Sequence, residues 1–272
     1  MSFNYEQSIW GRGEASLRWS SPASFRLKQA LFALRQVPVD GKILEVGCGA
    51  GQFIRTLKKI QPTWQCYGAD ISQEAISLAK NAQDGVDYSL CGQIELFYEN
   101  NSLDAVIVFD VLEHASDPDG LLKEIARVLK PGGVFYCFVP CEGDKLSIWY
   151  WLDKVGLKKD LTKRYAGHIN YFSRRKVVAL LKKNNFSVSR VRYSEHLLGQ
   201  KLGVVSFWLM ERRARRRGLV QMNNEQFFSE LDNRGGGMWV VVKKIINGLV
   251  NFESYCFARL PSPNMHIVSV KK

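Results

Sequence analysis

Residues Lys42 to Phe53, KILEVGCGAGQF, constrain this chain more than any other stretch. The apolar run Ile43 to Val46 predicts a buried strand, and it stops at Gly47, Gly49 and Gly51, three glycines spaced two apart. Gln52 to Ile60 then predicts a helix with Phe53, Ile54 and Leu57 on one face. Strand, glycine loop and helix in this order are how an open α/β sheet brings backbone N–H groups and close backbone approach to a cofactor. The spacing narrows the choice of cofactor. A dinucleotide fingerprint, G-x-G-x-x-G, needs a glycine where Gln52 stands. A P-loop needs Lys followed by Ser or Thr after its last glycine, where Gln52 and Phe53 follow. What remains is G-x-G-x-G preceded by an acid, Glu45.

The next segments repeat the alternation. Trp64 to Ala69 predicts a second strand ending at Asp70, nineteen residues after Gly51. An acid at that distance, at the tip of the second strand, suits a ribose diol held by two hydrogen bonds. Ser72 also opens a helical pattern, so Asp70 reads as a helix-start residue too. Val86 to Leu90 predicts a third strand, and Leu103 to Asp110 a fourth, nearly continuous and apolar, as a strand covered on both faces should be. Asp117-Pro118 is an N-cap with proline at the first helical position. That helix runs to Lys130 and stops at Pro131-Gly132-Gly133, before a fifth strand at Val134 to Val139. Strands alternating with helices at this spacing imply a parallel sheet with right-handed crossovers.

The segment Glu45-Val-Gly-Cys-Gly-Ala-Gly51 resembles the first motif of class I S-adenosylmethionine (SAM)-dependent methyltransferases. Leu112-Glu113-His114 with Asp117-Pro118, and Val128 to Gly133, are similar to the pattern of quinone-biosynthesis-type small-molecule methyltransferases. The resemblance covers roughly residues 25 to 195. It implies a seven-stranded, mostly parallel, Rossmann-like α/β sheet with helices on both faces and an antiparallel last strand. It implies SAM as cofactor, with Glu45, Gly47, Cys48, Gly49, Gly51, Asp70, Ile71 and Phe109 around it. The family commonly places an acid after the third strand to receive the adenine amino group. Here Gly92 falls at that place and Gln93 follows, whose side-chain carbonyl can accept the same bond.

Phe186 to Ser194 predicts a sixth strand after a helix capped by Ser173, and Met265 to Val270 the seventh. Residues 195–264 between them far exceed an ordinary connection and read as a helical insertion in a methyltransferase domain made of 1–194 and 265–272. Charge divides unevenly along the chain. Residues 1–140 carry 13 Lys/Arg and 16 Asp/Glu, whereas residues 141–272 carry 25 and 10, so the basic half is the part that meets an anionic partner. The insertion holds two apolar stretches, Leu197 to Met210 and Met238 to Val250, and the basic run Arg212 to Arg217. Neither stretch reaches the roughly 20 apolar residues of a membrane span. Tryptophans beside clustered Lys and Arg suit a helix lying on an anionic membrane surface, and equally a lid packed on the core. An RNA-binding surface ranks below both, since no compact RNA-binding module is recognisable.

Six cysteines without a CxxC pair argue against zinc and a disulfide framework and for buried reduced thiols. With no signal peptide in the opening residues, the expectation is a cytoplasmic protein, peripheral at the inner membrane face if the insertion binds lipid. Methyl transfer from a sulfonium is an in-line displacement, and a hydroxyl acceptor must also lose a proton. A base belongs beyond the fourth strand, where His114 stands; a histidine of ordinary pKa, about 6.5, accepts a proton near neutral pH. His168, in Tyr165-Ala-Gly-His-Ile-Asn-Tyr-Phe172, is the second candidate, with aromatics able to line an acceptor pocket. His196 and His266 read as structural, and the scatter of histidines and carboxylates gives no case for a metal. The reading is a SAM-dependent O-methyltransferase of a small or a lipid- or glycan-linked acceptor. Its alternatives are an RNA methyltransferase and a SAM-fold interaction module without catalysis.

Overall fold

A computed structural model describes residues 3–157, 161–218 and 224–272. Seven strands form one sheet: β1 (Lys42–Val46), β2 (Gln65–Asp70), β3 (Asp87–Leu90), β4 (Leu103–Phe109), β5 (Leu129–Pro140), β6 (Phe186–Ser194) and β7 (Asn264–Lys271). Their order across the sheet is β3-β2-β1-β4-β5-β7-β6. The first five pair in parallel, and β7 runs antiparallel between β5 and β6. The continuous apolar run of β4 is explained by this order, because β4 lies at the centre with every residue but Asp104 buried. The chain winds outward from β1 to β3, then returns to β4 on the other side of β1. The carboxyl ends of β1 and β4 thus flank the reversal of strand order, where open α/β sheets bind ligands.

Helices α1 (Ser24–Leu34), α2 (Gln52–Ile60), α3 (Gln73–Lys80), α4 (Pro118–Val128), α5 (Ile148–Lys154), α6 (Leu161–Tyr165) and α7 (Arg174–Lys183) surround the sheet. Two apolar cores pack on opposite faces, one with Leu122, Ile125, Leu181 and Phe186, the other with Leu27, Leu34, Ile54 and Leu57. The expected caps form: Asp117 accepts Gly120 N–H before α4, and Ser173 accepts Lys176 N–H before α7. Ser72 caps α3 by accepting Ala75 N–H, while Asp70 accepts the N–H of Ser72 itself, so Asp70 does help start that helix.

Helices α8 (Leu198–Arg217) and α9 (Asn224–Phe257) lie between β6 and β7; residues 219–223 of the expected insertion lie outside the described residues. They are tied to the rest of the molecule at both ends. Glu253 of α9 accepts the N–H groups of Leu197, Leu198 and Gly199, the donors that the first turn of α8 leaves unpaired. Asn251 donates to the carbonyls of Trp19 and Ser21, and the Trp19 ring fills the space a side chain at Gly248 would need. Phe207, Met210 and Ala214 of α8 pack with Leu161 and Tyr165 of α6 in a separate small core. No helix among the described residues is long and apolar enough to cross a membrane.

Candidate functional site

Gly47, Gly49 and Gly51 all take positive φ, at 72°, 53° and 89°, which a β-carbon resists. A β-carbon at Gly47 would strike Val111, and one at Gly51 the Tyr88 hydroxyl. The loop's N–H groups are engaged inside the protein. Gly47 and Cys48 donate to Ala69 O, Gly49 donates to Asp70 Oδ2 at 2.7 Å, and Ala50 donates to Trp10 O at 2.8 Å. The loop is therefore not the array of free donors that cradles phosphates, contrary to the sequence expectation that it presents N–H groups to a ligand. The space that its missing side chains leave is taken by Val111, the Trp10 carbonyl and the Tyr88 hydroxyl, so the loop packs closely on the protein itself.

The remaining cofactor candidates divide by what their side chains touch. Glu45 lies beneath the loop, where Oε2 accepts the Ile54 N–H at 2.8 Å and holds the start of α2. Burial pushes its carboxyl up to about 8. Asp70 reaches the loop from β2, with burial raising its carboxyl and the N–H groups of Ser72 and Gly49 pulling it back. Ile71 is exposed beside it. Cys48 is buried, its thiol pushed far up by burial. Gly92 donates to Glu95 O, and the Gln93 carbonyl accepts the Ser116 hydroxyl at 2.6 Å, leaving it one lone pair for a further donor. The Phe109 ring stacks on Phe53 with centroids 4.0 Å apart inside the core, so only its backbone is available to a ligand.

His114 and His168, more than fifty residues apart in sequence, meet beyond β4 with ring centroids 5.0 Å apart. The segment carrying His168 is clamped on the turn after β4. Glu113 O accepts the N–H groups of Ile169 and Asn170, and the Asn170 side chain donates to Leu112 O and Ala115 O. His114 Nδ1 lies 3.1 Å from Gly167 O, which can only accept, so Nδ1 carries the proton. His168 Nδ1 meets Glu142 Oε1 at 2.7 Å, and the other oxygen of Glu142 accepts the Thr162 hydroxyl. Burial first, and His168 second, push the His114 imidazole down to about 4. It is neutral at pH 7 but a feeble proton acceptor. Glu113 is fully buried beside it, and neither of its carboxylate oxygens has a hydrogen-bond partner. Burial, then Asp110, raises its carboxyl well above the usual range. Tyr165 and Phe172 are buried in two of the cores and so do not line a pocket, as their sequence had suggested. His266 is locked between Tyr136 and Ser194, a structural role.

An opening strap roofs this site, and the sequence reading had missed it. Glu6 accepts the N–H groups of Gln73 and Glu74 and the hydroxyl of Ser72, capping α3 from outside. Phe3 stacks on Trp10 and abuts Gly167. Tyr5 stands edge-on to His114 at 6.0 Å, its hydroxyl pushed up to about 12 by burial and by the charges of Glu113 and Asp70. The only local signal was a cluster of aromatics, Phe3, Tyr5 and Trp10, in an otherwise polar segment. All six cysteines are free, five of them at least partly buried and Cys256 exposed.

A family model described as "Methyltransferase domain" matches residues 21–191. The chain is 31% identical over 102 residues to the ubiquinone/menaquinone biosynthesis C-methyltransferase of Desulfotalea psychrophila, covering 37% of this chain and 42% of that one. It is 32% identical over 108 residues to the ubiquinone biosynthesis O-methyltransferase of Coxiella burnetii, covering 38% and 45%. The chain thus spans less than half the length of these curated relatives. Among solved structures, the [4+2]-cyclase SpnF shares the fold over 97% of this chain and 85% of its own, with a TM-score of 0.58 at 19% identity. A glycine loop whose Gly49 N–H is held by Asp70, in a matched stretch of well over half its length, makes this chain a member of the class I SAM-dependent methyltransferases.

Proposed function

We propose that the protein methylates a hydroxyl oxygen of a small or lipid-linked acceptor, with SAM as donor, at the carboxyl ends of β1 and β4. The observation that carries this reading is the paired geometry of His168 and Glu142 beside His114 and Glu113, across from the glycine loop and Asp70. Bound SAM supplies an electrophilic methyl group on a sulfonium. Gly47, Gly49 and Gly51 let the loop turn at positive φ, and Asp70, which already accepts the Gly49 and Ser72 N–H groups, keeps a lone pair on each oxygen for ribose hydroxyls. His168 is the better proton handler of the two histidines, because Glu142 fixes its tautomer with Nε2 as the acceptor, whereas burial weakens His114. Both quinone-pathway relatives, one acting on carbon and one on oxygen, point to an aromatic acceptor class. Incubation with labelled SAM and a panel of phenols, hydroquinones and prenylated hydroquinones tests this. Label should enter an oxygen-linked methyl, and its transfer should fall by roughly 10²-fold or more in His168→Ala. Absence of SAM binding by calorimetry would sink the reading and leave an interaction module.

The lipid-linked part rests on α9, where Met238, Val241, Ile245, Leu249 and Phe252 recur every three or four residues and are at least half exposed. We place this face on a cytoplasmic membrane surface. Three of the nearby arginines are already paired, Arg213 and Arg217 with Glu230 and Arg215 with Glu211, so the apolar stripe carries more of the attraction than the basic run. The same pairing weakens the RNA reading. Ile245→Ser with Phe252→Ser should abolish co-sedimentation with anionic vesicles while sparing SAM binding; failure of the unaltered chain to bind any vesicle removes the membrane element.

A further inference from the structure

We propose that Arg35, Arg190, Arg192 and Arg259 bind the phosphate groups of an anionic phospholipid surface, beside the apolar stripe of α9. The cluster is gathered from three parts of the fold at the β6 edge of the sheet. Arg35 is the C-cap of α1, Arg190 and Arg192 lie two apart on β6 and so share one face of it, and Arg259 follows α9. The Phe32 ring of α1 carries the Arg35 guanidinium at 4.0 Å and the Arg190 guanidinium at 3.4 Å. Arg259 is brought to the same edge because the Tyr193 N–H donates to Ala258 O at 2.9 Å.

Three features separate this cluster from a set of solvated charges. The first is the missing counter-charge. Arg26, Arg55, Arg127, Arg174 and Arg213 each pair with a carboxylate, whereas among the described residues none of these four does. The second is Arg190 itself. Its Nε and Nη1 are buried without a hydrogen-bond partner, and Nη2 meets only Gln29 Oε1 at 3.4 Å. Burial first, then Arg192, Arg35 and Arg259, lower its guanidinium, so positive charges that repel one another are held together without relief. An oxyanion drawn between them supplies both the charge and the acceptors that the fold leaves out. The third is position. Lys28, which shares a helix face with Phe32 and Arg35, stands over the Tyr255 ring of α9 at 4.5 Å, and Phe25 packs edge-on against the same ring. Leu249 and Phe252 are exposed on the α9 turns just before Tyr255. The cations thus begin where the apolar stripe ends.

An anionic lipid surface answers both halves at once. Apolar side chains of α9 enter the boundary beneath the headgroups, and planar guanidiniums take phosphate oxygens in paired hydrogen bonds. A nucleic acid has the phosphates but no use for the neighbouring stripe. This site depends on the membrane reading of α9, and it takes over the headgroup contacts that the sequence had suggested for Arg212 to Arg217, where three arginines are already paired.

Flotation of the full chain with phosphatidylcholine vesicles, with and without phosphatidylglycerol, tests the site. Binding should require phosphatidylglycerol and fade as salt rises. Arg35 and Arg259 are exposed, so Arg35→Gln with Arg259→Gln should fold and bind SAM as before. That pair should weaken vesicle binding roughly 30-fold, at about fivefold per arginine, and Arg190→Gln should weaken it about fivefold alone. Arg215→Gln with Arg217→Gln removes the same net charge from paired arginines and should change binding less than about twofold. Unchanged binding in the Arg35 and Arg259 variant, with binding abolished by Ile245→Ser and Phe252→Ser, overturns the cluster and keeps the membrane reading. An equal loss in the Arg215 and Arg217 variant also overturns it, leaving net charge as the attraction. No vesicle binding by the unaltered chain removes both. Single-stranded RNA bound by the unaltered chain and lost in the Arg35 and Arg259 variant would then mark a nucleic-acid surface instead.

Discussion

The carbonyl oxygen of Trp10 accepts the Ala50 N–H at 2.8 Å and lies 2.5 Å from where a β-carbon of Gly49 would be. One backbone contact thus couples the strap to the glycine loop. The absence of a side chain at Gly49 serves that contact as much as it serves any ligand.

Gly49→Val should therefore do two things at once. A branched side chain at φ 53° strains the loop and drives the Trp10 carbonyl away. SAM binding should be lost, and limited proteolysis should cut between residues 3 and 15 much faster than in the unaltered chain. Lost binding with an unchanged cleavage rate would show that the strap is held independently of the loop.

Asp70 has a double duty, because it receives Gly49 N–H and Ser72 N–H as well as any ribose hydroxyl. Asp70→Ala should weaken SAM binding by roughly 10–100-fold, each charge-assisted hydrogen bond contributing about 1.5–3 kcal/mol. Asp70→Asn, which keeps one acceptor, should fall between. Calorimetric affinities in the order Asp, Asn, Ala check this, and equal affinities would remove Asp70 from the cofactor site.

Glu45 makes stability depend on pH. Its carboxyl ordinarily titrates near 4.5 and is pushed up to about 8 by burial, against the pull of the Ile54 N–H. Above about pH 4.5 the unfolded chain gives up this proton while the folded chain keeps it. The contribution is complete below that pH and is lost as pH rises through 8, on the order of 1.4 kcal/mol per unit. Thermal unfolding of the unaltered chain should drop from pH 5 to pH 9 (on the order of a few kcal/mol by the same scaling). Glu45→Gln keeps an acceptor for Ile54 and should show a flatter profile.

Glu253 closes α8 from a neighbouring helix. Glu253→Ala leaves Leu197, Leu198 and Gly199 with unmet N–H groups, at a cost of about 1–2 kcal/mol. Hydrogen exchange should rise in the first turns of α8 and leave β1 and β4 unchanged. Uniform exchange across both would mean the pair helices and sheet unfold as one unit.

The strand, loop and helix alternation was legible in the chain because its signals are local. Ile43 to Val46 and Leu103 to Phe109 are nearly all apolar, Glu45 and Asp104 apart, and buried on both faces, the three glycines mark a turn that side chains resist, and Ser72, Asp117 and Ser173 cap helices within three residues of themselves. Even Asp70 was legible, since its distance from Gly51 is set by one helix and one strand. What only the tertiary structure decided involves partners with no fixed sequence spacing. Trp10 closes on a loop some forty residues away, Glu6 on the start of α3, Tyr5 on His114 and Phe3 on Gly167. Glu211 and Glu230 take up much of an arginine run that looked free in the sequence. His168 reaches His114 only because Asn170 and its neighbours dock on the turn after β4. Periodicity records which way a side chain faces within its own element. Which side chain it meets depends on how long loops close, and on the burial that makes an unpartnered Glu113 stand out once the fold has surrounded it.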